Sequence, residues 1–233
     1  MVEQSRSFWV TGASAGLGLA LVEHLLEQGH RVAASGDACQ ALDLLAERHG
    51  AVLLRLPGQL QAHGRAEAAS AMIASTWGAL DALIVNAGTC DYLTDEVPDS
   101  EVFEAIASSN LQAAEDCLAS ALPLLARGDA PQVMAVFSRY SALQLYAPSQ
   151  LPNATNNAPQ WFRLQRDTLD ALGISLTLVA PQSLKTPVTP IQALPEQWTA
   201  RGAAEELLRR LPQREAELVL EALDIQELWP LSR

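Results

Sequence analysis

The chain contains one lysine, Lys185, against 14 arginines. Chemistry that needs an ammonium group therefore has a single position to draw on. Basic residues are scarce altogether, and the formal net charge of -12 argues against nucleic acid or an anionic membrane surface as a partner, since both call for basic patches. The only cysteines are Cys39, Cys90 and Cys117, widely spaced and odd in number. This favours free thiols over a disulfide framework and excludes a zinc cluster built from cysteine alone. No apolar run approaches membrane-spanning length. The polar residues ahead of Phe8-Trp9-Val10 carry neither the basic start nor the apolar stretch of a secretory leader, so the expectation is a cytoplasmic protein. His24, His30, His49 and His63 are scattered over early helices and loops with no nucleophile beside them, and no metal site is expected.

What is present is apolar residues, 49% of the chain, enough for a sizeable core. They are arranged as short strands alternating with amphipathic helices. Strand-like runs fall at Ser7 to Gly12, Arg31 to Ser35, Ala51 to Leu56, Ala82 to Asn86, Val133 to Ser138 and Ile174 to Ala180. Helical periodicity marks a first helix ended by Gly29, then Cys39 to Arg48, Ala62 to Trp77, Glu101 to Ala126, Pro159 to Leu172 and Ala200 to Leu211. A short strand and helix close the pattern, and Pro181 to Pro195 reads as a loop over the sheet's carboxyl end. Such alternation predicts an α/β fold, a doubly wound parallel sheet of Rossmann type, in a single domain over residues 1–233.

The segment "VTGASAGLG" places Gly12, Gly16 and Gly18 at the first strand-to-helix junction, with Ser14 and Leu17 between them. Glycines there let the backbone approach a pyrophosphate and expose a helix N-terminus whose amides favour anions. A tight turn with no ligand would use the same residues. The spacing, preceded by Thr11, resembles that of the short-chain dehydrogenase/reductase family. "LDALIVNAG", ending in Asn86, Ala87 and Gly88, is similar to the family's fourth-strand motif. "SSNLQAA" puts Asn110 where the family keeps a structural and proton-relay asparagine, and "GISLTLVAPQSLKTPV" puts Pro181 and Thr186 in their usual places.

Several positions depart from the family pattern. "ASGD" gives Gly36 where family members that bind NAD carry Asp, and Asp37 where those that bind NADP carry a basic residue. A carboxylate there would repel a 2′-phosphate, so NAD(H) is expected over NADP(H), if either binds. Pro57 stands where the family usually has the aspartate that meets adenine, and Gln182 follows Pro181 where a glycine is usual.

The resemblance implies catalysis by a Ser, a Tyr and a Lys one helical turn beyond it, the Lys lowering the Tyr pKa from its reference of about 10. Strand five offers Ser138, while Arg139 falls at the position that aligns with the family's catalytic Ser. At the family's spacing the Tyr position falls on or beside Pro152 and the Lys position on Asn156, inside "LPNATNNAPQ". That segment predicts a loop up to a helix capped by Asn156 or Asn157, with Pro159 in its first turn. Tyr146, in "YAPSQ", mimics the motif with a glutamine in place of the lysine, but it comes early for the usual register. It serves either as a displaced catalytic group or as a loop or interface aromatic. Cys90 reads as a small buried residue near the cofactor side.

Three readings follow. The first is a family-like dinucleotide-binding protein, catalytically impaired, that binds or senses a small-molecule ligand or assists assembly. The second is an atypical NAD(P)-dependent oxidoreductase acting on a carbonyl or alcohol, with Tyr146, Lys185 or water as proton donor. The third is an interaction protein with no nucleotide. In each case the family's habit of pairing through the helices at Glu101 to Ala126 and Pro159 to Leu172 implies a homodimer or homotetramer.

Overall fold

The computed structural model describes residues 5–86, 100–137, 151, 157–180 and 200–220, and the side chains of 100–103 and 219 lie outside it. The chain alternates β1 (Ser7–Val10), α1 (Gly16–Glu27), β2 (Arg31–Gly36), α2 (Gln40–His49), β3 (Leu53–Pro57), α3 (Arg65–Trp77), β4 (Ala82–Asn86), α4 (Ser100–Leu125), β5 (Gln132–Val136), α5 (Asn157–Ala171), β6 (Ser175–Ala180), α6 (Ala200–Arg210) and β7 (Glu217–Val219). All seven strands pair in parallel in the order β3-β2-β1-β4-β5-β6-β7. The order reverses between β1 and β4, which opens a crevice at the carboxyl ends of those strands.

The strands are apolar throughout because both faces of the sheet are covered. Phe8, Val10, Val32, Ala34, Ile84 and Val179 face α1, α2 and α6, packing on Leu21, Leu25, Leu45 and Leu207. Trp9, Leu83, Val85, Val133 and Leu178 face α3, α4 and α5, packing on Ile73, Leu118, Leu124 and Phe162. Trp9 is wholly buried, and its indole N–H donates to the Ser35 hydroxyl at 2.8 Å, which joins β1 to β2 inside the core. At the amino edge the buried Asp81 carboxylate accepts from the Ser7 N–H at 2.7 Å, the Ser7 hydroxyl at 2.9 Å and the Asp129 N–H at 2.7 Å.

The strand-helix pattern read from sequence holds, with shifted ends. α1 stops as expected: Gly29 takes a φ of 83°, its N–H bonds the Leu26 carbonyl, and the His30 N–H bonds that of Leu25. The third strand begins at Leu53 because 50–52 form a single turn of 3-10 helix. α3 begins at Arg65, since Gly64 has a φ of 74° and interrupts the helix expected from Ala62. α5 begins at Asn157 with Pro159 in its first turn, as expected, and Asn157 is already helical; Asn156, the other expected cap, lies outside the described residues, as do the loop at 181–195 and any closing helix. Among the described residues no helix is long and apolar enough to cross a membrane.

Candidate functional site

The carboxyl edge of the sheet at β1 is built from the glycine segment. Thr11 is buried; its N–H reaches the Ile84 carbonyl at 3.0 Å, and its hydroxyl oxygen accepts from the Asn86 N–H at 3.0 Å. Gly12 turns the chain with a φ of 61°, and its carbonyl accepts from Asn86 Nδ2 at 3.3 Å. A β-carbon on Gly18 would fall on the Gly12 carbonyl oxygen, so helix α1 approaches the loop more closely than any side chain allows. β1, β4 and α1 are thereby locked around one turn, and the Ala13 N–H is spent on the Ser35 carbonyl at 2.9 Å.

Among the described residues no side chain caps the N-terminus of α1. Its N-cap, Ala15, makes no side-chain hydrogen bond to the first turn, and no acidic residue lies in that turn. Among the described residues the first-turn amides at Gly16, Leu17 and Gly18 therefore have no side-chain acceptor, in a place where the helix dipole favours negative charge. Ser14 is half-buried beside them. This geometry fits a phosphate or pyrophosphate.

Beyond β2, Gly36 lies against the backbone of Ala13 and Ser14, and Asp37 is exposed with Oδ2 accepting from Gln59 Nε2 at 3.4 Å. Asn110 sits on α4, and its Oδ1 accepts from Gln61 Nε2 at 3.2 Å. The loop between β3 and α3 thus touches both β2 and α4. Sequence reasoning missed Gln59 and Gln61, because nothing in a short polar loop says which neighbours it meets.

The structure brings together Gly12, Ser14, Gly16, Leu17, Gly18, Asp37 and Asn86 along one edge. Ala87, Gly88, Cys90, Ser138, Arg139, Tyr146, Pro152, Asn156, Pro181, Gln182, Lys185 and Thr186 lie outside the described residues. Strand β5 is fixed as far as Phe137, which is buried and donates its N–H to the Val179 carbonyl at 3.0 Å.

His24 and His30 do not join this edge. His24 is buried between α1 and α6, with Nε2 3.3 Å from Glu205 and Nδ1 3.7 Å from Glu27. His30 Nδ1 accepts from the Arg6 N–H at 3.3 Å. Among the described residues no group of three or more metal-ligating side chains comes together. Cys117 is buried in the second core cluster, and burial, then the neighbouring Asp116, pushes its thiol up to about 12, which keeps it protonated and inert.

The sequence matches the family described as short chain dehydrogenase over residues 7–194. It is 35% identical over 121 residues to a cis-1,2-dihydrobenzene-1,2-diol dehydrogenase of Pseudomonas putida, covering 50% of this chain and 44% of that protein. It is 32% identical over 118 residues to a cis-2,3-dihydrobiphenyl-2,3-diol dehydrogenase of Pseudomonas sp. strain KKS102, covering 47% and 43%. The matched part thus spans less than half the length of these curated relatives. In fold, the chain is similar to a short-chain dehydrogenase from Streptomyces avermitilis, with a TM-score of 0.73 at 19% identity over 93% of this chain and 89% of that one.

Proposed function

The chain belongs to the short chain dehydrogenase family, and from that premise we propose that it binds a nicotinamide adenine dinucleotide, NAD(H) in preference to NADP(H), with its oxidoreductase chemistry impaired, and works as a binding, sensing or assembly protein. The observation that carries the cofactor reading is the open N-terminus of α1 against the turn held by Thr11, Gly12 and Asn86. The amides at Gly16, Leu17 and Gly18 would hold the pyrophosphate and Asp37 the adenosine ribose. Ala87, Gly88, Pro181 and Thr186 are assigned to the nicotinamide side on the family pattern.

Impairment rests on composition. With Lys185 as the only lysine, and Pro152 and Asn156 at the family's Tyr and Lys positions, no group there donates a proton near neutral pH. The names of the relatives favour one alternative: an oxidoreductase acting on an alcohol or carbonyl, with Ser138 orienting the substrate, Tyr146 or Lys185 supplying the proton, and Asn110 in a relay.

Titration with NADH and NADPH, followed by fluorescence and thermal shift, tests the proposal. Tighter binding of NADH with negligible carbonyl reduction supports it. Turnover abolished by Tyr146→Phe would establish the alternative, and binding of neither nucleotide would leave an interaction protein.

Self-association as a dimer or tetramer completes the reading. On α5 Leu164 is 71% exposed and, just past its end, Leu172 is 50% exposed, while Trp161 is partly covered and packs edge-on against Phe162. Leu169 of the same helix belongs to the core. Light scattering that returned only the 25.0 kDa monomer mass over a wide concentration range would refute self-association.

A further inference from the structure

From the glycine turn toward β3, the sheet's carboxyl edge carries two glycines, Gly36 at the end of β2 and Gly58 just past β3. A β-carbon built on Gly36 would lie 3.0 Å from the Ser14 nitrogen and 3.2 Å from that of Ala13, so Gly36 continues the turn directly. Gly58 lies beside it, its N–H donating to the Gly36 carbonyl at 3.1 Å. Over Gly58 lies the guanidinium of Arg65: a β-carbon at 58 would stand 3.4 Å from its Cζ, 3.5 Å from Nη1 and 3.7 Å from Nε. The guanidinium occupies the space that a side chain at 58 would have filled. Arg65 is exposed, and among the described residues its guanidinium has no carboxylate or carbonyl partner. The loop that carries it is tied at both sides, Gln59 to Asp37 and Gln61 to Asn110.

We infer that Arg65 recognises the base of the nucleotide, an inference that rests on the dinucleotide reading above. The order of groups across the edge supplies the argument. The amides of α1 select phosphate, the Asp37 carboxylate at the end of β2 selects ribose hydroxyls, and one strand further out, past β3, lies Gly58 with a planar cation over it. A guanidinium is planar and weakly hydrated, stacks on aromatic rings, and presents N–H groups to ring nitrogens. Pro57 supplies no side-chain hydrogen bond at this end of the site, so the contact to the base falls to Arg65, eight residues along the chain from Pro57 and close to it in space.

The test uses the full chain and the variants Arg65→Ala and Arg65→Lys. Each is titrated with NADH and with reduced nicotinamide mononucleotide, which has no adenosine. Arg65→Ala should bind NADH about three- to fivefold more weakly and the mononucleotide as the parent does. Arg65→Lys should recover little, because an ammonium has no flat face. Unchanged NADH affinity in Arg65→Ala, equal weakening of the mononucleotide, or full recovery with lysine would each overturn the inference while leaving the dinucleotide reading in place. If the parent protein binds no NADH, the reading and the inference fall together.

Discussion

Asn86 holds the glycine turn from two sides: Nδ2 donates to the Gly12 carbonyl at 3.3 Å, and the backbone N–H of the same residue donates to the Thr11 hydroxyl at 3.0 Å. A residue at the end of β4 thus sets the position of the loop after β1. The bonds cross the point where strand order reverses, where the family's ligands bind. Placement of the α1 amides depends on this clamp and on the close approach of Gly18 to Gly12.

Gly18→Ala should therefore be the most damaging small substitution at the site. Its methyl group would meet the Gly12 carbonyl, a backbone atom with no rotamer to escape into. The expected cost is about 1 to 3 kcal/mol of stability, together with loss of NADH binding. Asn86→Ala removes one hydrogen bond and should cost about 0.5 to 1.5 kcal/mol. Urea unfolding with a parallel NADH titration checks both. A Gly18→Ala protein as stable and as competent as its parent would show that the turn is not clamped as described.

Asp37 should set the cofactor preference. Replacing it by Asn removes the charge that would face a 2′-phosphate but keeps an oxygen that can accept from Gln59. NADPH binding should then tighten severalfold relative to NADH, and Asp37→Arg should shift the ratio further. Paired titrations of parent and variants read this directly. A parent that already prefers NADPH would contradict it.

On the proposed reading carbonyl reduction should be very slow or absent with generic substrates, because that reading forgoes a general-acid contribution of about 10²- to 10⁴-fold. Pro152→Tyr with Asn156→Lys should not restore it, since "LPNATNNAPQ" carries two prolines and three asparagines ahead of and within the first turn of α5. NADH oxidation followed by absorbance checks this, and substantial recovery by the double variant would reverse the assignment.

Glu115 provides a pH signature. Partial burial in α4, and then the adjacent Asp116, hold its carboxyl above the ordinary value of 4.5. A raised folded-state pKa means that the folded protein binds this proton more tightly than the unfolded chain. The corresponding stability is complete below about 4.5 and is lost as pH rises through the folded value. At neutral pH the ionised carboxylate is thus a net cost, and Glu115→Gln should melt higher than the parent. The difference should shrink to nothing as pH falls below the carboxylate range. Thermal melts of the two proteins at pH 4 and pH 7 test it, and a lower-melting Glu115→Gln protein at pH 7 would count against it.

The alternation of strands and helices was legible in the sequence because each element is coded locally. Buried parallel strands need apolar residues at every position, and helices repeat at 3.6. Gly12 and Gly18 were legible for a similar reason: the turn after β1 leaves no room for a β-carbon at either. The scarcity of lysine needs no structure at all, and it constrains the chemistry more firmly than any distance does. Tertiary structure decided the rest. The tie of Gln59 to Asp37, the tie of Gln61 to Asn110, the seat of Arg65 on Gly58 and the burial of Leu169 join residues on different elements, whose side chains meet only once the sheet has fixed where each loop leaves it. Local pattern specifies an element and its buried face; it carries no information about which polar side chain of a connecting loop stands opposite which, because that is set by the relative position of strands far apart in the chain.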